Sequence, residues 1–204
     1  MHFTAAGFGL FAVAVEQGGS ESPDDRLAEI ERLREKIAGL EERVRHLDAL
    51  AHQDALVPLP NRRGFMRELE SLIARAGRYG ESAAMLFVDI DGLKRINDSF
   101  GHKAGDQALL QVAAVLSAGV RKSDCVGRIG GDEFGILLVH SDEDEARETA
   151  QRLTSLIEDH ESHCDGNRLP LGVAIGVAMI AANDTPDMVI ARADRAMYRE
   201  KAAA

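Results

Sequence analysis

With 204 residues, 45% of them apolar, the chain suffices for one domain with a real core plus an appendage. Its formal charge of −10 argues against a nucleic-acid surface, where a basic face is expected. Two cysteines, Cys125 and Cys164, make no disulfide framework and fit a reducing compartment, so a cytoplasmic location is expected.

Residues 1–23 open with an apolar stretch containing Phe3, Phe8, Leu10, Phe11, Val13 and Val15. It lacks a positively charged start and falls short of the ~20 residues a spanning helix needs, so it is read as a packing segment, with a buried β-strand or part of a sensory element equally allowed, and no membrane span is expected. Gly18, Gly19, Ser20 and Pro23 mark a break, and residues 24–53 then form a charged helix with an apolar seam. Ile30, Ile37 and Val44 fall at heptad position a, and Leu33, Leu40 and Leu47 at position d. β-Branched residues at a with leucine at d favour a parallel two-stranded coiled coil. The facing pairs Glu29 with Arg34, Lys36 with Glu41 and Arg43 with Asp48 are opposite in charge, which predicts a parallel, in-register homodimer.

Pro58 and Pro60 end that helix, and a new one is predicted from about Asn61, burying Phe65, Leu69, Leu72 and Ile73. Beyond it the pattern predicts a strand over 83–90, helices over about 93–98 and 103–119, and strands over 125–129 and 134–139. A helix over about 143–160, a strand over 171–179 and a helix over 186–200 complete the chain. This order means an α/β (α+β) domain over 54–204 with a central mixed, partly antiparallel sheet flanked by helices. His160, His163 and Cys164 lie close in sequence at a polar helix end, with Cys164 in a loop. They lack the paired four-ligand spacing of a zinc site.

The residues between the two strands of the predicted hairpin are the most informative. Gly130 and Gly131 would close it and present Asp132 and Glu133 at its tip, while Asp89 and Asp91 end another strand, with backbone carbonyls between them. Converging acidic strand ends supply the hard oxygen ligands that hold magnesium for phosphoryl transfer, and substrate phosphates complete its shell.

Four segments, Asp-Ile-Asp-Gly-Leu-Lys-Arg-Ile-Asn-Asp (89–98), Gly-His-Lys-Ala-Gly-Asp (101–106), Arg-Ile-Gly-Gly-Asp-Glu-Phe (128–134) and Ala-Asp-Arg-Ala-Met-Tyr-Arg-Glu-Lys (193–201), occur in that order. In order and spacing they resemble the GGDEF family of diguanylate cyclases, from about Asp54 to the end of the chain. The resemblance implies the palm-like fold of nucleotidyl cyclases and the condensation of two GTP molecules, one per protomer, into cyclic di-GMP with release of pyrophosphate. It implies magnesium, or manganese in its place, on Asp89, the Ile90 carbonyl and Asp132. Glu133 would assist deprotonation of the attacking hydroxyl or hold a second metal.

Gly92, Leu93 and Lys94 would cradle phosphate with backbone amides at a helix start. Leu93 stands where phenylalanine is usual in the family. Gly130 and Gly131 would contact substrate, and Lys201 would bind phosphates. The family's further arginine would fall four residues beyond Lys201, and the sequence stops at Ala204, which implies a longer chain or a weaker grip on triphosphate. Asn97 and Asp106, with His102 nearby, match the guanine-reading residues, and adenine has no N1 proton for Asp106 to accept. Val57-Pro58 replaces the usual threonine-glycine. Arg121-Lys122-Ser123-Asp124, with Arg152 in support, matches an RxxD site where cyclic di-GMP inhibits its own synthesis; read alone, the motif is a common surface turn. A GGDEF domain that binds GTP or cyclic di-GMP without turnover is the competing reading.

Overall fold

The computed structural model describes residues 23–164 and 167–203, so the expectation for the apolar N-terminal segment lies outside the described residues. Helix α1 (Pro23–His52) begins on a proline, which is tolerated in a first turn because its missing N–H has no helical partner there. The seam residues Ile30, Leu33, Ile37, Leu40, Val44 and Leu47 are 45–64% exposed in the single chain. Two of the residues expected to pair across a dimer are also engaged within the chain. Glu29 pairs with Arg32 at 2.8 Å, and Asp48 lies 3.1 Å from His52 Nδ1 and 3.8 Å from Arg67.

The described residues up to Arg45 and those from His46 onward form separate units. The second contains α2 (Arg62–Tyr79), β1 (Ala83–Ile90), α3 (Leu93–Phe100), α4 (His102–Ala118), β2 (Cys125–Arg128), β3 (Glu133–Val139), α5 (Glu143–Glu158), β4 (Ser162–Cys164), β5 (Asn167–Leu169), β6 (Val173–Met179) and α6 (Pro186–Ala203). The main sheet has the order β2-β3-β1-β6, and each adjacent pair is antiparallel. The expected mixture of directions exists only at one remove. Each helical crossover carries the chain past a neighbouring strand, so β2 runs with β1 across β3, and β6 runs with β3 across β1.

Strand alternation sorts the side chains into two cores. Leu86, Val88, Phe134 and Ile136 pack with Val112 and Leu116 of α4 and Leu153 of α5. Met85, Phe87, Leu137 and Ala174 pack with Phe65 and Leu69 of α2 and Val189, Ala193 and Met197 of α6. Period two therefore places Asp89 and Glu133 on the face that α2 and α6 cover. Helix α6 lies so close to β6 that a Cβ on Gly176 would sit 2.1 Å from Met197 N and 2.2 Å from Ala193 O.

Two local expectations are corrected. Ser162–Cys164 and Asn167–Leu169 pair as a short antiparallel hairpin, so Cys164 belongs to a strand and not to a loop. Strands of three residues are too short to show alternation, and the available cue is the dipeptide Asp165-Gly166, a frequent hairpin connector. Glu133 is the first residue of β3, not part of the turn tip, because its carbonyl accepts the N–H groups of Ile129 (2.9 Å) and Gly130 (3.2 Å) and closes the turn ahead of it.

Candidate active site

The carboxylates meet through strand register. Asp89 and Glu133 are direct partners on β1 and β3, and the Ile90 N–H donates to the Asp132 carbonyl at 3.0 Å. Like charges directly opposite on neighbouring strands are destabilising, so this pairing is a local cost that a cation would offset. Burial pushes the Glu133 carboxyl above its ordinary value; Asp132, Asp89 and Asp194 add to the rise, and Arg62 opposes it. The donors are hard oxygens on rigid strands, chemistry suited to magnesium. Among the described residues, however, no three acidic, histidine or cysteine side chains converge as a closed metal cage. A metal here would therefore take part of its shell from backbone carbonyl, water or substrate.

Lys201, in the last turn of α6, donates to Asp89 Oδ1 and lies 3.0 Å from Asp91 Oδ1. Burial alone would lower the Lys201 ammonium; its bonds to the two aspartates outweigh that and hold it above the ordinary lysine value. The Asp91 N–H donates to the Gly172 carbonyl at 2.9 Å, which ties the end of β1 to the start of β6.

Gly92 begins α3 with φ 68°, a left-handed conformation that suits glycine, and no side chain caps the helix. The amides of Leu93 and Lys94 thus begin a helix beside Asp91, while the Leu93 side chain is buried in the first core and Lys94 is exposed. One turn along α3 from Leu93, Asn97 is half-buried. A Cβ on Gly105 would come 2.0 Å from Asn97 Oδ1, so glycine there lets the carboxamide pack beside the residue preceding Asp106. His102 and Asp106 are exposed on the first turns of α4.

Three arginines to which the sequence reading gave no role shape these surroundings. Arg128 pairs with Asp54 Oδ1 at 3.1 Å and donates to the Gly131 carbonyl at 2.7 Å, joining the segment after α1 to the carboxylate-bearing turn. Burial alone would raise the Asp54 carboxyl; the N–H groups of Val57 and Leu56, with Arg128, outweigh it and hold the group low. Arg62, at the start of α2, donates to the Ile129 carbonyl at 3.2 Å. Arg95 folds back over Gly92, its Nε 2.8 Å from where a Cβ would stand. Arg128 stood inside the quoted motif, but no local spacing could pair it with Asp54, 74 residues away.

Arg121, Asp124 and Arg152 are brought together elsewhere. They line a cavity of about 270 Å³ with Gly119, Ser141 and Thr149. It sits where β2 begins and β3 ends, roughly 20 Å along the hairpin from the carboxylates at ~3.3 Å per residue. One Asp124 oxygen accepts the Arg121 N–H at 2.9 Å and the other the Val139 N–H at 3.2 Å, while Arg152 Nη2 donates to the Gly119 carbonyl at 2.8 Å.

The family described as "Diguanylate cyclase, GGDEF domain" matches residues 51–204. The chain is 37% identical over 150 residues to diguanylate cyclase DgcP of Pseudomonas aeruginosa, covering 74% of this chain and 22% of that protein. It is 34% identical over 184 residues to diguanylate cyclase TpbB of Pseudomonas aeruginosa (strain UCBPP-PA14), covering 89% and 42%. The chain thus spans less than half the length of these two curated relatives. Among solved structures, the coiled coil and GGDEF domain of DgcB from Caulobacter crescentus, in complex with c-di-GMP, superposes with a TM-score of 0.80 at 25% identity, covering 90% of this chain and 96% of that one. With its sheet order, its acidic strand partners and a family match over three quarters of its length, the chain belongs to the GGDEF-domain family.

Proposed function

We propose that this chain is a diguanylate cyclase, condensing two GTP into cyclic di-GMP and two pyrophosphates. The observation that carries the reading is the like-charged pair Asp89 and Glu133, held in register beside Asp132 and facing the lysine-bearing helix α6. Asp89, the Ile90 carbonyl and Asp132 would hold a divalent cation, magnesium or manganese, which supplies positive charge at the α-phosphate. The 3′-oxygen of one GTP attacks the α-phosphorus of the other, the bond to the β-phosphate oxygen breaks, and pyrophosphate leaves. Glu133, with its carboxyl pushed upward, is suited to take the hydroxyl proton. Gly92, Leu93 and Lys94 receive phosphate oxygens, and Asn97, His102 and Asp106 select guanine. Gly130 spends its own N–H inside the turn and contributes shape there.

Each domain supplies one half of the reaction, so two copies must meet. The exposed seam of α1 supports a parallel coiled-coil homodimer over 24–53, preceding a catalytic domain over 54–204. Cyclic di-GMP would inhibit at the Arg121, Asp124 and Arg152 cavity, where guanidinium can reach guanine O6 and N7 and carboxylate can accept from N1 and N2. A cytoplasmic site of action suits the reducing context of Cys125 and Cys164. Among the described residues, no helix is long and apolar enough to cross a membrane.

The second reading is a domain that binds GTP or cyclic di-GMP without turnover; the cavity at Arg121, standing apart from the carboxylates, favours it. Incubation with GTP and magnesium, followed by chromatography of the nucleotides, tests both. Cyclic di-GMP that accumulates and then stalls supports the cyclase with its product brake. No product from a protein that still binds cyclic di-GMP supports the second reading.

A further inference from the structure

We propose that Lys201 acts as a resident counter-ion at the metal position, which a divalent cation must displace, and that Asp91 is the positioning residue on which the displaced lysine turns toward substrate phosphate. The inference rests on the cyclase reading of the same site. Lysine is a compact point charge with three donors on a flexible stem. Here the ammonium bridges two carboxylates of different standing. Asp89 lies in β1 opposite Glu133, its side chain 18% exposed, while Asp91 lies beyond the strand at 41% and is anchored by its own N–H to Gly172.

An ammonium on Asp89 Oδ1 and a divalent cation ligated by the same carboxylate would stand as close like charges, so the two compete for one position. Asp91 takes no part in the paired acidic strands and need not release the lysine. Its carboxylate therefore keeps the ammonium within reach of the α3 N-terminus, where Gly92 follows it directly in sequence and phosphate oxygens are expected. The exchange couples metal and triphosphate: the cation frees the cationic side chain that the phosphates then receive.

The test is calorimetric titration of Mn²⁺, without nucleotide, into the wild-type chain and into Lys201→Met and Lys201→Arg, with thermal melts to establish folding. Lys201→Met is expected to bind Mn²⁺ about fivefold or more tightly than wild type, within the usual range of coupling between sites. Lys201→Arg, which keeps the charge, is expected to bind it as weakly as wild type. Equal or weaker Mn²⁺ binding by folded Lys201→Met overturns the proposal. For the pivot, Asp91→Asn is expected to raise KM for GTP with little change in kcat, and Asp91→Glu to restore it; an unchanged KM in Asp91→Asn overturns that part. A wild-type chain that makes no cyclic di-GMP while Lys201→Met still gains metal affinity would sink the cyclase reading and leave the displacement intact.

Discussion

Replacing Gly176 with alanine would drive a methyl into the backbone of α6. The added carbon would stand 2.1 Å from Met197 N and 2.2 Å from Ala193 O, and ordinary contact begins at 3.4 Å, so helix and strand must part by about 1.3 Å. Neither atom can swing away as a flexible side-chain end would. Parting them loosens Val189, Ala193 and Met197, all buried against the sheet. Overpacking typically costs about 1–3 kcal/mol, and a clash with backbone belongs at the upper end. At roughly 2–4 °C per kcal/mol for a chain of this size, Tm should fall by about 6–12 °C, read by circular dichroism. Lys201 lies one turn beyond Met197, so KM for GTP should rise in the same variant. Gly39→Ala, with nothing within 4 Å of its added carbon and a position inside α1, is the control and should gain up to ~1 kcal/mol. A Gly176→Ala melt within about 2 °C of wild type, on the same scale, would refute the argument that this close approach holds α6.

Arg128→Ala removes the link between Asp54 and the Gly131 carbonyl, and should lower kcat through a loosened turn while costing about 1–3 kcal/mol of stability in urea unfolding. Asp184 accepts from Arg192 at 2.6 and 3.1 Å and from the Ala181 N–H at 2.7 Å, and the Arg192 bond foremost holds its carboxyl below the usual value. A lowered carboxyl stabilises the fold above its unfolded value, about 3.9, and loses that contribution as pH falls through the lower folded value. Melts of Asp184→Asn should therefore lie beneath wild type at neutral pH, start to approach it as pH falls past about 3.9, and meet it only below the lower folded value. Leu40→Glu should reduce activity most at low protein concentration, since it charges the α1 seam; activity per protomer that is unchanged on dilution would exclude the coiled coil as dimeriser. Arg121→Ala should keep turnover and lose inhibition by cyclic di-GMP, as read from progress curves.

Much of the fold was legible in the chain because its signals are local. The strand over 83–90 is an apolar run with observed ends Ala83 and Ile90, and α2 begins after Asn61, whose side chain accepts the Gly64 N–H at 3.0 Å. The apolar seam of α1 and the acidic residue types at the strand ends are likewise properties of short spacings, whereas a guanine-reading role for Asn97, His102 and Asp106 is what the family resemblance implies and no period shows. The β4–β5 hairpin escaped because three-residue strands show no period. What only the tertiary structure decided is which groups face one another. Antiparallel register set Asp89 opposite Glu133 and put both under α6; packing of α6 on β6 carried Lys201 to Asp89 across 112 residues, and Arg128 to Asp54 spans 74. Such pairs lie beyond any helical or strand period. They form because burying the two faces of one sheet admits only one register and one seating of its helices, and charge then settles among the neighbours that packing has chosen.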